Sequence, residues 1–335
     1  MKLAALLLLL LANNVFSFQP TVPSSSLVVG VNQGKKSLTV SSASASEAVG
    51  LTREEDPSEK KSAKGLVISS ALGSLASVSL AAKAGLIKGP GGLPYSNILL
   101  ARDCGASVLV TVLAYVFVKT ITRLAKNGVL HPRDSRKIIH TLSAPLFLLC
   151  WPLFSKAGRW FAACAPLTNA IRLWLAGRGA GETELANAVS RSGNVEEAGG
   201  GPFLYCLVTI AAVMLFWTDS LAGVVAICAM AVGDGLADIV GRRLGKNNKW
   251  FFSERKSMAG SLAFWVGSAT AAVGLSLWLS AVTGVTPLGS FPTSTLVARI
   301  CAVTGVSAVV ELIPIGDDNW TVPTTAALLS MLFLQ

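Results

Sequence analysis

The chain has 335 residues, of which 52% are hydrophobic and 14% charged, and its mean hydropathy is +0.59. A water-soluble domain of this size carries more charge on its surface, so the composition excludes an ordinary soluble globular protein. The formal net charge of +10 does not indicate a nucleic-acid partner, because the excess Lys and Arg of a membrane protein collect in loops and set its orientation.

The amino-terminal residues have the composition of targeting and linker segments. Residues 1–17 contain Lys2 and an apolar run that is too short to span a membrane but suits a signal peptide. Residues 18–50 are rich in Ser, Val, Ala and Thr and carry no acid before Glu47, as in a transit peptide. This tandem resembles the bipartite presequences of algae with complex plastids and predicts a plastid protein; simple secretion is the alternative. Residues 51–64 are predicted to form a charged linker.

Apolar stretches recur through residues 65–335 and predict an all-α fold, a polytopic transmembrane helical bundle. The candidate spans are 66–87, 97–118, 138–154, 160–176, 203–217, 219–240, 259–282, 296–313 and 322–334. Several are shorter than the ~20 residues that a perpendicular helix needs, so seven to nine spans are predicted. The six cysteines form no CxxC pair and mostly lie inside apolar runs, which is typical of small core residues.

The polar loops between these spans are predicted to lie at one membrane face. Segments 119–137 and 241–256 are strongly basic, and four candidate spans separate them. Because an even number of crossings returns the chain to the same side, both loops share a face, and so do loops 177–201 and 314–321. The positive charge indicates the cytoplasm-like side, here the stroma.

The densest group of chemically capable residues has the sequence GDGLADIVGRRLGKNNKWFFSERKSMAGS. Asp234 and Asp238 are four residues apart and therefore share one helix face. Two carboxylates suit Mg²⁺, which prefers oxygen ligands and keeps phosphate oxygens in its shell. Arg255 and Lys256 offer cations, and Ser257 offers a hydroxyl near the start of the next helix, where a phosphate binds favourably.

The glycines of the same segment are predicted to let backbone or phosphate approach closely. They are Gly233, Gly235, Gly241, Gly245 and Gly260. Together with the acids and cations they make up the parts of a triphosphate site, although no GxxxxGK[ST] Walker loop occurs. The alternative is an interfacial acid pair beside basic loops that only set the topology.

Four ordered motifs resemble one group of membrane enzymes. GDGLADIVGRRLG followed by ERKSMAGS is similar to plastid phytol and farnesol kinases, within the polyprenol kinase and CTP-transferring enzymes that include dolichol kinase and phosphatidate cytidylyltransferase. SRKIIH (135–140), SRSGNVEEAGGGPFLY (190–205) and VVELIPIGDDNWTVP (309–323) resemble three further segments of that group. The resemblance covers about residues 130–335.

The resemblance implies roles for individual residues. The expected catalytic residues are Asp234, Asp238, Lys256, Glu311, Asp318 and His140. The expected nucleotide-binding residues are Gly233, Gly235, Gly241, Arg255, Lys256, Ser257, Gly260, Arg136 and Lys137. Asp234 and Asp238 would bind the metal, and Asp317 and Asn319 would complete a second acidic group near the reacting hydroxyl. One of the acids would orient or deprotonate the alcohol, and which one is left open. Arg136 and Lys137 alternatively suit lipid headgroups.

The implied activity is phosphorylation of an isoprenoid alcohol in a plastid membrane. Phytol is the expected substrate, with geranylgeraniol or farnesol as alternatives, and the product would feed tocopherol and related prenyl-lipid synthesis. Mg²⁺ is the expected metal and CTP the expected phosphoryl donor, with UTP or ATP as alternatives. A CTP-dependent cytidylyltransferase is the second hypothesis. A transporter or membrane scaffold is the third, although the sequence lacks the paired half-repeats that a transporter predicts.

Overall fold

The computed structural model describes residues 57–178, 188–190, 195–283, 292–314 and 316–334. These residues form nine long α-helices, three short 3₁₀ helices between them, and no strand. The helices are α1 (Pro57–Lys83), α2 (Asn97–Lys126), α3 (Pro132–Leu149), α4 (Arg159–Gly177), α5 (Gly201–Phe216), α6 (Ala222–Leu244), α7 (Met258–Thr283), α8 (Thr293–Leu312) and α9 (Asp318–Phe333). The predicted all-α bundle is therefore confirmed.

Each of the nine predicted apolar stretches coincides with one helix. By length and composition, five helical segments of the described chain suit a membrane span: Asn97–Lys126, Glu196–Phe216, Ala222–Leu244, Met258–Thr283 and Thr293–Leu312. The predicted signal peptide and transit segment lie outside the described residues. Helix α1 begins at Pro57, so the second part of the predicted linker 51–64 is helical. Proline suits this first position because it has no N–H to satisfy and its φ is helical.

Helix α6 is the central helix of the bundle and packs against α3, α5, α7 and α9. Its apolar half is continuously buried from Ala222 to Ala231. One π-helical turn, Ala229–Gly233, interrupts it directly before Asp234. Because a π turn holds one extra residue, it rotates the second half of the helix relative to the first, and such turns are frequent at functional sites.

A hydrogen-bonded cluster ties the start of α2 to the α3–α4 connection. The Asp103 carboxylate is fully buried and accepts bonds from the Tyr95 hydroxyl, from the Ser155 N–H at 2.6 Å and from the Ser155 hydroxyl at 2.6 Å. The Arg102 guanidinium donates to the carbonyls of residues 152–154 at 2.9–3.0 Å. A buried carboxylate is tolerated only with such partners, so this cluster fixes the connection in place.

Candidate active site

The chemically capable segments meet where α3, α6, α8 and α9 approach one another. Asp234, directly after the π turn of α6, accepts a bond from Lys137 Nζ at 2.9 Å. His140 Nε2 lies 3.1 Å from the same carboxylate oxygen and 3.3 Å from the Met230 carbonyl of the π turn. Lys137 and His140 are three residues apart on α3, so both reach α6 from one helix face.

The second part of the site is centred on Lys256, in the connection between α6 and α7. Its ammonium group donates to the Glu311 carboxylate of α8 and lies 3.5 Å from Asp318 Oδ2 at the start of α9. Glu311 is buried in an otherwise apolar stretch, and Lys256 is half-buried. Burial lowers the pKa of Lys256, but the hydrogen bond and charge of Glu311 outweigh it, so the pKa is raised and the side chain stays protonated.

A short hairpin-like loop places Lys256 at this point. The Trp250 N–H donates to the Lys256 carbonyl at 3.2 Å, and the Met258 N–H donates to the Asn248 carbonyl at 2.8 Å. Ser257 is buried at the end of this loop and accepts the Gly260 N–H at 3.1 Å, which caps the start of α7. The predicted cation Arg255 is exposed at the loop surface.

Three carboxylates from distant parts of the sequence form one group. Asp234, Glu311 and Asp318 each offer an oxygen, and the three oxygens lie within 4.8 Å of one another. Hard oxygen ligands that occupy part of a coordination shell are the arrangement that Mg²⁺ uses when it also binds phosphate. The residues present therefore fit the expected metal.

Asp238, the other acid predicted to bind metal, has a different partner. Its carboxylate accepts a bond from Arg242 Nε at 3.0 Å, one helical turn further along α6. Arg242 also donates to Asp134 Oδ1 of α3 at 3.0 Å. Asp238 is not a member of the three-carboxylate group that the described residues form. Its predicted metal role stays a prediction, and the structure places it in an ion-pair network that joins α3 to α6.

Asp134, which the sequence analysis did not select, belongs to this network. Arg243 donates to its second oxygen at 3.2 Å. Burial raises the pKa of Asp134, but the hydrogen bonds and charges of Arg242 and Arg243 outweigh burial and lower it overall. Asp238 and Arg242 are four residues apart, a spacing from which an ion pair on one helix face could have been predicted.

The predicted glycines lie where helices approach closely. A Cβ on Gly235 would lie 1.8 Å from Thr141 Oγ1 of α3, and a Cβ on Gly233 would lie 2.8 Å from the Phe264 ring of α7. Gly241, Gly245 and Gly260 face Ser257 or one another in the same way. Helix packing therefore accounts for these glycines, and their predicted contact with nucleotide stays a prediction.

The acidic motif before α9 and the loop before α5 also lie beside the site. Asp317 caps α9 by accepting the Asn319 N–H at 2.9 Å, and the Asn319 amide donates to the same oxygen at 2.9 Å. A Cβ on Gly201, at the start of α5, would lie 3.3 Å from the Asn319 amide nitrogen. Residues from all four loops that were predicted to share a membrane face therefore lie at or beside the candidate active site.

A cavity of about 1040 Å³ opens from this region into the bundle. Its polar end is lined by Arg136, Lys137, His140, Asp234, Asp317, Asp318 and Asn319. Its remainder is lined mainly by aliphatic and aromatic side chains of α2, α3, α4 and α5. Tyr205, missed by the sequence analysis although it ends a quoted motif, lines the cavity and donates to the His140 carbonyl at 2.9 Å. Its ring lies 4.7 Å from the His140 ring.

Comparison with known proteins identifies relatives over most of the chain, although no family model and no solved structure matches it. It is 36% identical over 267 residues to the probable phytol kinase, chloroplastic, of Triticum aestivum, a match that covers 77% of this chain and 86% of that protein. It is 37% identical over 239 residues to probable phytol kinase 1, chloroplastic, of Oryza sativa subsp. japonica, covering 69% and 74% of the two chains. It is 36% identical over 241 residues to phytol kinase 1, chloroplastic, of Arabidopsis thaliana, covering 70% and 77%. The chain therefore belongs to the phytol kinase family.

Proposed function

We propose that this chain transfers the terminal phosphoryl group of a nucleoside triphosphate to the hydroxyl of an isoprenoid alcohol, with phytol as substrate and CTP as donor. Membership of the phytol kinase family supports a kinase that acts on an alcohol group. The observation that carries the proposal is the position of the acids and cations: Lys137, Asp234 and Asp318 line the polar end of a large, mainly apolar cavity, and Glu311 and Lys256 lie beside them.

The cavity suits a long hydrocarbon tail with one polar end. Its volume of about 1040 Å³ is just above the roughly 300–1,000 Å³ found for small-molecule sites. Two of its lining residues, Leu113 of α2 and Leu146 of α3, are 47% and 39% exposed. An alcohol dissolved in the bilayer would therefore reach the cavity from the side, between α2 and α3, without crossing water.

The polar end supplies the charges that phosphoryl transfer requires. Asp234, Glu311 and Asp318 would hold Mg²⁺, which neutralises charge on the triphosphate when bound. Lys137 and Lys256 place two further cations beside these carboxylates. Because catalysis of phosphoryl transfer is mostly positioning and electrostatic stabilisation, two fixed cations next to the transferred group would supply much of the rate enhancement.

The alcohol hydroxyl would lie between the cavity and the carboxylates. His140 and Asp318 both line the cavity, and we propose that one of them would accept the hydroxyl proton. His140 is oriented from two sides, by the Asp234 carboxylate and by the packing of Tyr205 against its ring. Asp318 is the more exposed of the two acids next to Lys256, so solvent would receive the proton from it.

We place the protein in a plastid membrane with the site facing the stroma. The relatives are named as chloroplastic, and the presequence composition supports the same compartment. The basic loops beside the site support the orientation. The phosphorylated alcohol would then be available to tocopherol and prenyl-lipid synthesis.

The test is transfer of labelled phosphate by the chain in nanodiscs. We would supply phytol, geranylgeraniol or farnesol with CTP, UTP or ATP labelled at the terminal phosphate. We expect labelled phytyl monophosphate with CTP, and we expect Asp234→Asn to lower kcat at least ~100-fold, as loss of a transition-state contact does. Asp219→Asn is the matched control, because its carboxylate is exposed, pairs with Arg159 and lies outside the carboxylate group.

Two results would contradict this assignment. Full activity of Asp234→Asn would show that the three-carboxylate group is not the site. Release of pyrophosphate from CTP with phosphatidic acid, without phosphorylation of any alcohol, would identify a cytidylyltransferase instead.

A further inference from the structure

The connection between α6 and α7 presents aromatic side chains at its tip. The Ser253 N–H donates to the Trp250 carbonyl at 3.0 Å, which closes a tight turn with Phe251 and Phe252 at its two central positions. Phe251 is 94% exposed and Phe252 is 53% exposed. Trp250 stacks on Phe252 with ring centroids 5.6 Å apart, and its indole N–H donates to the Ser261 hydroxyl of α7 at 3.0 Å. Contacts within the described chain therefore hold the turn in shape but leave both phenylalanine rings largely uncovered.

Three cations surround this aromatic turn. Lys246, Lys249 and Arg255 are all exposed. Glu254 is the only acid in the same stretch, so residues 246–255 carry a net charge of +2. The ion pairs formed among the described residues include none of these three cations. Their charge is therefore available to an anionic partner.

The turn lies where two candidate membrane spans meet the water boundary. Helix α6 ends at Leu244 and α7 begins at Met258, and both helices are long and apolar enough to cross a membrane. These two terminal residues are themselves 69% and 50% exposed. Aromatic side chains are enriched at the membrane–water interface, and Lys and Arg beside a span attract anionic headgroups. An aromatic turn flanked by cations at this position matches an anionic lipid surface in both apolar contact and charge.

The same hairpin holds the lysine of the candidate active site. The Trp250 N–H donates to the Lys256 carbonyl at 3.2 Å, and Lys249 pairs with Ser257 in one antiparallel bridge. The Lys256 ammonium group donates to Glu311. Because a backbone bond joins the base of the turn to Lys256, the position of the turn constrains the position of this cation.

We propose that residues 246–255 form a lipid-binding loop, which recognises anionic lipid headgroups and thereby holds Lys256 in the site. The phenylalanine rings enter the interfacial layer, and the cations contact the headgroups. Each Lys or Arg close to an anionic membrane surface strengthens docking roughly fivefold. Turnover therefore depends on anionic lipid, a consequence that rests on the proposed function, whereas the lipid contact itself does not.

The lipid contact is tested by photocrosslinking, with p-benzoylphenylalanine in place of Phe251. The protein is placed in nanodiscs of phosphatidylcholine with about 30% phosphatidylglycerol, and the crosslinked lipid is identified by mass spectrometry. We expect the ratio of phosphatidylglycerol to phosphatidylcholine in the crosslinked lipid to exceed the bulk ratio at least ~5-fold. We expect salt at about 1 M to remove this enrichment, because it screens the cations.

Two crosslinking results would overturn the proposal. The first is the absence of any lipid crosslink, or a lipid ratio equal to that of the bulk. The second is a crosslink to added CTP in place of lipid, which would assign the exposed rings to stacking on the nucleotide base.

The effect on Lys256 is tested by turnover of phytol in nanodiscs with and without phosphatidylglycerol. We expect the wild type to turn over at least ~3-fold faster with phosphatidylglycerol. Lys246→Gln with Lys249→Gln should lose this difference, because the loop then carries no net charge. The glutamine amide keeps a donor for the Arg255 carbonyl, which Lys249 Nζ contacts at 3.2 Å, so the hairpin is retained. Turnover equal to the wild type without phosphatidylglycerol would show that the variant is folded.

Lys83→Gln with Lys88→Gln is the matched control. It removes the same charge from two exposed lysines in the region that joins α1 to α2, at the opposite end of α2 from the candidate active site. We expect it to keep the full response to phosphatidylglycerol. Equal turnover of the wild type in both kinds of nanodisc, or a full response in the loop variant, would overturn the positioning of Lys256 by lipid.

The rings are tested separately by Phe251→Ser with Phe252→Ser. We expect this variant to turn over at the rate without phosphatidylglycerol in both kinds of nanodisc, with an unchanged KM for CTP. A raised KM for CTP that does not depend on lipid would overturn the proposal in favour of nucleotide stacking. Wild-type protein that phosphorylates no alcohol in any nanodisc would contradict the proposed function, while the crosslink would still decide the lipid contact.

Discussion

Replacement of Lys256 by Met removes the cation that faces Glu311. Glu311 is 5% exposed, and among the described residues its carboxylate accepts a side-chain hydrogen bond from Lys256 alone. Removing one partner of a buried ion pair costs about 3–5 kcal/mol, because the remaining charge is uncompensated. The Lys256 side chain is 31% exposed, so water replaces part of the lost interaction. We therefore expect a loss near the lower limit, about 3 kcal/mol of unfolding free energy.

The double variant Lys256→Met with Glu311→Gln separates stability from chemistry. Neutral groups of similar size often replace a buried ion pair without loss, so we expect its unfolding free energy to return to within about 1 kcal/mol of wild type. Turnover of phytol should not return, because both charges belong to the proposed phosphoryl-transfer site. The measurements are denaturant unfolding in detergent micelles and kcat/KM in nanodiscs, combined in a double-mutant cycle.

Lys246→Met serves as the control for this experiment. Lys246 lies exposed in the same connection between α6 and α7, so we expect its replacement to change stability by no more than about 0.5 kcal/mol. Recovery of both stability and turnover in the double variant would show that the Lys256–Glu311 pair is a structural bridge. Unchanged stability in Lys256→Met would refute the reasoning from burial.

Two further predictions concern the packing of α6 against α3. Gly235→Ala should destabilise the protein by about 1–3 kcal/mol, because its Cβ would overlap Thr141, and adding Thr141→Gly should recover most of the loss in thermal unfolding. Asp134→Asn should cost about 1 kcal/mol near neutral pH. The pKa of Asp134 is lower in the folded protein than in the unfolded chain, so the stabilisation that its carboxylate provides is present above the unfolded pKa of about 3.9 and is lost as pH falls through the folded value. The unfolding free energies of the wild type and the variant, measured against pH, should therefore converge in acid.

The helices were predictable because apolar stretches long enough for a bilayer are an unambiguous signal. The residues at which the helices end were harder to predict. Helix α2 was predicted to end at residue 118 but continues to Lys126, through a segment assigned to a basic loop. Lys and Arg are good helix formers, and Arg123 and Lys126 in the last turn are favourable at the negative end of the helix dipole. The helix ends where Gly128 adopts φ +73°, a conformation that glycine adopts without strain.

The meeting of the four loops was predicted from the parity of the spans, but the choice of carboxylates was not. Spacing placed Asp234 and Asp238 on one helix face, and nothing in the sequence showed which of them turns towards α8 and α9. The π turn before Asp234 sets the rotation of this part of α6, and no residue pattern announces it. Arg242 then pairs with Asp238, while Asp234 faces Glu311 and Asp318.

Asp103 was missed although it carried a signal. A lone acid inside an apolar stretch needs a partner or a function, and Asp103 lies in such a stretch of α2. Its partners Tyr95 and Ser155 lie 8 and 52 residues away in the chain, so spacing did not reveal them. The cluster joins the start of α2 to the α3–α4 connection and does not include any member of the carboxylate group, which indicates a structural role.

The charges at the polar end explain why three acids are tolerated close together. Asp234, Glu311 and Asp318 face two ammonium groups, Lys137 and Lys256, so the group carries one net negative charge when His140 is neutral. The proposed Mg²⁺ would reverse the sign and leave one net positive charge, which favours a triphosphate. Without both lysines, the like charges of three adjacent carboxylates would repel one another uncompensated. The two lysines therefore offset most of the negative charge that the three acids bring together, which is why the fold tolerates the group.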